Sequence, residues 1–281
     1  MTTVKRTWGR RLARGAILAA STYLLILVAM WFLERRLVFK PVAAAERWQE
    51  PPDPAIVDVY FSTADGVPIH GWWLPKPGCS DALLLCHGNC GNVSDRGQSL
   101  LRLRSELACS VLIFDYPGYG KSGGRPSEDA CYASAEAALE WLREKNGIPN
   151  ERVLLYGESL GGGVAVELAR RYPSRGLVLV KTFTCLPAVA KRLYPWLPVY
   201  MLMRTRFDNL AKIGLCNCPV FVTSATNDAL VPFALGEELY RAAPEPKCFF
   251  RLEGLDHADR LPDECLAAMR QFLDRCAAPR P

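Results

Sequence analysis

Along the N-terminal part of the chain the hydrophobic pattern has no period. GAILAASTYLLILVAMWFL, Gly15 to Leu33, runs for nineteen residues without a charge. At 1.5 Å per residue this makes about 28 Å of helix, close to the roughly 30 Å hydrocarbon core of a bilayer. From Val57 onward the pattern changes to short apolar runs that alternate with amphipathic stretches. Strands are predicted at VDVYF (57–61), VPIHGWW (67–73), ALLLC (82–86), SVLIF (110–114), RVLLY (152–156), GLVLV (176–180), PVFVTS (219–224) and KCFFRL (247–252). Helical spacing occurs near 93–107, 127–145, 160–171, 232–242 and 262–276. Continuous apolar strands, most followed by a helix, imply a mostly parallel eight-stranded α/β sheet with helices on both faces. The first two strands have no helix between them and read as a hairpin. In such a sheet, functional residues gather on loops at the carboxyl ends of the strands.

Charge sharpens the division of the chain. Residues 1–47 carry nine basic and two acidic residues, a balance of +7, although the whole chain is only +5; the remainder holds 25 basic against 27 acidic. Basicity thus belongs to the N-terminal segment, and the globular part has no nucleic-acid footprint. Basic residues flank both ends of the apolar run, and Trp31 and Phe32 stand where interfacial aromatics belong. A cleaved signal peptide is the rival reading, with Ala43-Ala44-Ala45 as the small residues. The run exceeds a typical h-region, however, and the alanines lie about ten residues beyond it. The expected organisation is a basic segment at 1–14, a retained transmembrane signal-anchor at 15–33, a Pro-rich linker at 34–54 and a globular domain at 55–279. On side, two signals oppose each other. Five basic residues before the run and four after it lean towards a cytoplasmic N-terminus with the domain outside. Eleven cysteines, all from Cys79 onward, suit a reducing compartment instead.

Chemistry concentrates at LLYGESLGGG, 154–163. Gly157 and Gly161 stand two positions either side of Ser159, after a strand and before a helix. This G-x-S-x-G arrangement makes a nucleophile elbow, because a tight strand-to-helix turn brings neighbouring chains against the serine and glycine removes the colliding β-carbons. A serine hydroxyl needs a base. Of three histidines, His257 follows the last strand, and Asp228 in SATNDALVPF lies between the two at another strand end. The order Ser, Asp, His makes Ser159 the nucleophile, His257 the base and Asp228 the group that holds the imidazole. Asp256 and Asp259 compete for the acid role but lie too near His257 in sequence to reach its ring from the required side. An oxyanion hole needs two N–H donors. Leu160, after the nucleophile, supplies one, and Asn89 in LLLCHGNCGN is the candidate for the other, with His87 organising that loop.

Taken together these stretches resemble the α/β-hydrolase superfamily. The nearer resemblance is to serine aminopeptidase-like hydrolases, particularly the membrane-anchored α/β-hydrolase-domain proteins that include palmitoyl-protein thioesterases. It rests on CHGNCGN, FDYPGYGKSGGRPSE, YGESLGGGVAVELA, LYPWLPV, RFDNLAKI and the TNDALVPF…GLDHAD pair, over most of residues 55–276. It implies an α/β-hydrolase fold and hydrolysis of an ester, thioester or amide through an acyl-enzyme. The depalmitoylating relatives carry an N-terminal cysteine cluster, whereas no cysteine precedes Cys79 here.

Residues 183–211 break the strand–helix rhythm and are expected to form a small cap. Within it Trp196 and Met203, together with Tyr116 from the FDYPGYG loop, are candidate substrate contacts, against a reading of plain core packing. Cys216-Asn217-Cys218 has the wrong spacing for zinc, and no strand-linked Walker pattern accompanies Lys121, so neither a metal nor a nucleotide cofactor is expected. The partners expected are the bilayer, through residues 15–33, and an acyl ester, thioester or lipid-like substrate. An aminopeptidase-like amide hydrolase and a non-catalytic membrane scaffold are the alternatives.

Overall fold

The computed structural model describes residues 2–276. Met1 of the expected basic segment 1–14, and 277–279 at the end of the expected domain, lie outside the described residues. Helix α1, Thr2–Val38, contains no proline and runs five residues past the expected end of the span. Its apolar stretch meets solvent on nearly every face, with Phe32 71% exposed, until Glu34, which is buried. Pro41 follows soon after the helix ends, and Lys40–Pro41 pairs in parallel with Cys90–Gly91. The segment expected as a linker is laid onto the domain. The Ala44 N–H donates to the Gly120 carbonyl at 2.8 Å, and the Asn92 side chain donates to the carbonyls of Val42 and Arg47 at 3.1 and 2.9 Å.

The sheet has eight strands: β1 (Val57–Ser62), β2 (Pro68–Leu74), β3 (Ala82–Cys86), β4 (Ser110–Phe114), β5 (Val153–Glu158), β6 (Gly176–Val180), β7 (Val220–Ala225) and β8 (Lys247–Leu252). They lie side by side in the order β1-β2-β4-β3-β5-β6-β7-β8. Only the pairs β1/β2 and β2/β4 are antiparallel; the remaining pairs are parallel, as the unbroken apolar strands require.

Alternate residues of the strands feed two cores. On one face Leu83, Ile113, Leu154, Val178 and Phe221 pack under α2 (Gly97–Leu107) and α9 (Asp263–Cys276), through Leu100, Leu103, Met269 and Phe272. On the other, Leu84, Leu112, Leu155, Leu179 and Val222 pack under α3 (Glu128–Asn146), α4 (Leu160–Arg171) and α8 (Phe233–Ala242). The small residues Ala135 and Ala138 on α3 and Ala165 on α4 are all fully buried, as helices lying close to a sheet require. Between β6 and β7 the chain forms three short helices, α5 (Leu186–Leu193), α6 (Val199–Leu202) and α7 (Leu210–Ile213), in place of one crossover helix.

Register then decides where the loops emerge. Cys86 on β3 lies opposite Gly157 on β5, Glu158 opposite Val180 on β6, Val180 opposite Thr223 on β7, and Ala225 opposite Leu252 on β8. The carboxyl ends of five parallel strands are therefore in one row, and the loops carrying Asn89, Ser159, Asp228 and His257 leave from it.

Candidate active site

Ser159 sits between β5 and α4 with φ 52° and ψ −117°, a conformation that costs a non-glycine residue about 1–3 kcal/mol. Its surroundings hold it there. The Ser159 N–H donates to the Val180 carbonyl at 2.9 Å, and its own carbonyl accepts the Thr182 hydroxyl at 2.7 Å. The flanking glycines are sterically required. A β-carbon on Gly157 would stand 2.6 Å from the Gly161 carbonyl, and one on Gly161 would overlap the Cys86 carbonyl of the neighbouring strand. A β-carbon on Gly88 would meet Ser159 Cβ at 3.5 Å, so the loop after β3 lies directly against Ser159.

His257, on the loop between β8 and α9, brings Nε2 to 3.0 Å from Ser159 Oγ and Nδ1 to 2.7 Å from Asp228 Oδ2. The imidazole is partly exposed, whereas the Asp228 side chain is almost fully buried. Asp228 Oδ1 accepts the N–H groups of Leu230 and Val231 at 2.9 and 2.6 Å, which leaves Oδ2 turned to the histidine. The competing acids have other work. Asp256 Oδ1 accepts the N–H groups of Ala229 and His257, both of which hold its carboxyl below the usual range, and Asp259 Oδ2 accepts the Asp256 N–H.

Leu160 opens α4, so its N–H belongs to the helix end whose donors have no partner within the helix. Asn89 lies beside Ser159 and Leu160 in the wall of one cavity and beside Ser159 and His257 in that of another. Its side chain donates to the Val38 carbonyl at the end of α1, and its carbonyl accepts the Tyr119 hydroxyl. His87 is fully buried, with Nδ1 2.6 Å from the Gly88 carbonyl. Burial depresses its pKa to about 4 despite the pull of Asp115, so it is a neutral strut of the loop. The third histidine, His70, is also buried and lies 2.6 Å from Asp58.

Two cavities meet at Ser159. One, of about 240 Å³, is apolar and is walled by Met30, Trp31, Leu37 and Val38 of α1 together with Val189, Leu193, Leu202 and Met203 of the β6–β7 insertion. The other, of about 550 Å³, is the more polar of the two and includes His257, Lys181, Arg96, Arg102 and Glu158. Of the three expected substrate contacts, Met203 lines the apolar cavity. Tyr116 does not: it is fully buried and its hydroxyl donates to the His87 carbonyl, so it braces the Asn89 loop from behind. Trp196 faces away as well. It is 55% exposed, its carbonyl accepts the Tyr23 hydroxyl and its ring lies 6.4 Å from that of Tyr23.

Sequence reasoning missed Lys181 and the α1 wall. Lys181 Nζ donates to the carbonyls of Asp256, His257 and Asp259, and so holds the histidine loop. It directly follows β6, so the strand-end rule already pointed to it. Burial lowers its pKa, opposed by the surrounding carboxylates. The α1 wall had no comparable signal, because an uncharged run reads as a lipid-facing span on all sides.

A mostly parallel sheet in this order, with a strained serine elbow after its fifth strand, is the architecture of the α/β hydrolases. Comparison with known proteins agrees. Residues 81–209 match the alpha/beta hydrolase fold family. The chain is 38% identical over 257 residues to an uncharacterized protein of Mycobacterium tuberculosis (strain ATCC 25618 / H37Rv), covering 90% of this chain and 91% of that one. It is 32% identical over 205 residues to human alpha/beta hydrolase domain-containing protein 17B, covering 71% and 68%. Among solved structures it superposes on a Pyrococcus furiosus esterase with a TM-score of 0.69 at 20% identity, over 85% of this chain and 98% of that one. An acetyl xylan esterase from Paenibacillus sp. R4 gives 0.67 at 22% identity, over 82% and 87%. The chain belongs to the α/β-hydrolase superfamily, and its class is that of a hydrolase.

Proposed function

We propose that the chain is a membrane-anchored serine hydrolase that cleaves a carboxylic ester or thioester of an acyl or lipid-like substrate. The observation that carries this reading is His257, which bridges Ser159 Oγ at 3.0 Å and Asp228 Oδ2 at 2.7 Å beside an apolar cavity. Ser159 Oγ attacks the carbonyl carbon while His257 Nε2 takes its proton, and Asp228 steadies the imidazolium. The N–H groups of Leu160 and Asn89 hold the oxyanion, each worth about 2.7–4 kcal/mol in the transition state. The C–O or C–S bond then breaks, His257 returns the proton to the departing alkoxide or thiolate, and water cleaves the acyl-enzyme by the same path.

The two cavities divide the substrate. The group that protonates the leaving group lines only the polar cavity, so the alcohol or thiol part belongs there. The acyl chain belongs in the apolar cavity, whose walls reach Ser159 and Leu160 but not His257. Helix α1 anchors the domain, with Gly15–Leu33 in the hydrocarbon and residues 183–211 as the cap over the site. The esterase neighbours point to the same chemistry, and the apolar cavity favours an acyl chain over a peptide amine.

Labelling of the detergent-solubilised protein by a fluorophosphonate probe tests this reading. The wild type is expected to label, with labelling lost in Ser159→Ala and His257→Ala. A folded wild type that does not label would return the scaffold reading.

A further inference from the structure

The β6–β7 insertion touches α1 at separate points, at Tyr23, Trp31 and Glu34. The Tyr23 hydroxyl donates to the Trp196 carbonyl at 3.0 Å. Two helical turns on, the Arg204 guanidinium lies 4.3 Å from the centre of the Trp31 ring and donates to the Trp31 carbonyl. Near the end of the helix, the buried Glu34 carboxylate accepts the backbone N–H groups of Arg204 and Thr205. From Tyr23 to Glu34 is about 16 Å along a helix, roughly the hydrocarbon depth of one leaflet. A cap tied to α1 at both ends of that length enters the membrane wherever α1 does.

The outward surface of the cap suits that location. Met201 is 87% exposed, and Trp196 and Tyr200 are about half exposed, large apolar side chains that a surface facing water gains nothing by showing. The segment is not one continuous helix, and backbone carbonyls in lipid require donors from the protein. The cap supplies them: Lys191 donates to the Pro195 carbonyl, Arg206 to the Tyr200 carbonyl, and Tyr23 of α1 to that of Trp196.

We propose that the cap is a second membrane-inserted element, and that the apolar cavity between it and α1 receives its acyl chain directly from the adjoining leaflet. The occupant of the exposed cap surface is the acyl region of the bilayer that surrounds α1. This rests on the reading of α1 as a span and of the apolar cavity as the acyl site. It adds that α1 is a wall of the site as well as a tether. A chain sliding along the seam between α1 and the cap reaches Ser159 without crossing water, while its polar part turns towards the second cavity at the same serine.

The test uses the full chain in phosphatidylcholine vesicles brominated on their acyl chains. Wild-type tryptophan emission is expected to be quenched, and Trp196→Phe is expected to remove one tryptophan's share of the quenched signal. Equal quenched intensity in the two proteins would overturn the proposal. A second arm compares hydrolysis of a soluble short-chain nitrophenyl ester with that of a long-chain ester embedded in the vesicles. Met201→Asp is expected to slow the embedded ester at least tenfold and leave the soluble ester unchanged. Loss of both activities to the same extent, or of neither, would overturn the leaflet route. A wild type that hydrolyses neither ester would count against the serine-hydrolase reading, and the quenching comparison would still decide where the cap lies.

Discussion

A β-carbon on Gly161 has no room beside Cys86. The first turn of α4 is pressed against the backbone carbonyl that ends β3, so the helix that follows Ser159 and the strand that leads to the Asn89 loop are in direct contact. That contact sets the distance between Ser159 and Asn89. The obstacle is backbone in the middle of a sheet, where a side-chain adjustment gives no relief.

Gly161→Ala is therefore expected to destabilise the protein by about 1–3 kcal/mol or more, in the range of core overpacking. It is also expected to slow fluorophosphonate labelling in whatever fraction remains folded. Gly15→Ala is the control: a β-carbon there meets nothing within 4 Å inside helix α1, so it should be at least as stable as wild type, by up to about 1 kcal/mol. Thermal unfolding in detergent reads both; equal midpoints for the two variants would contradict the packing argument.

Asp228→Asn preserves the shape of the acid but offers His257 a different hydrogen-bonding partner. A lowered kcat on a soluble ester, by about 10⁴-fold with little change in KM, is expected from the loss of the correct tautomer. Asp256→Asn should do much less, because that carboxylate bonds loop N–H groups and not the imidazole. Equal losses in the two variants would mean that loop order, and not the Asp228–His257 contact, governs the rate.

His87 yields a prediction about pH. Its pKa falls from an ordinary value near 6.5 to about 4 because burial disfavours the cation. The unfolded chain thus binds a proton that the folded one refuses across that window, and stability drops as pH falls from about 6.5 to 4, by about 3 kcal/mol in total. His87→Gln should flatten this part of the stability–pH curve by the equivalent of one proton. Parallel curves for the two proteins would show that His87 titrates normally in the folded state.

Glu34→Leu would leave the N–H groups of Arg204 and Thr205 without their carboxylate at the junction of α1 and the cap. These N–H groups are only partly buried, so leaving them unpaired costs less than the about 1–3 kcal/mol of a fully buried donor. The expected outcomes are a lower unfolding midpoint and faster protease cleavage within 194–206. Unchanged cleavage would show that the cap is held independently of α1.

The alternation of apolar and amphipathic runs made the strands and helices legible almost residue by residue, because burial on two faces imposes continuous apolar strands. The elbow was legible for a local reason: Gly157, Ser159 and Gly161 all act within one turn of chain. The order of Ser159, Asp228 and His257 followed from the same strand-end logic, since each comes directly after a strand. What the residues could not encode locally is which loops meet. That depends on the register that sets Cys86 against Gly157 and Ala225 against Leu252. Tyr116 shows the limit clearly. Its position after a strand put it at the right edge of the sheet, but only packing turned its hydroxyl to the His87 carbonyl and away from the cavities. The α1 wall was invisible for the opposite reason. An apolar helix presents the same chemistry on every face, so which face Met30, Trp31 and Leu37 turn to the cavity is decided only when the cap, anchored at Glu34, closes against it.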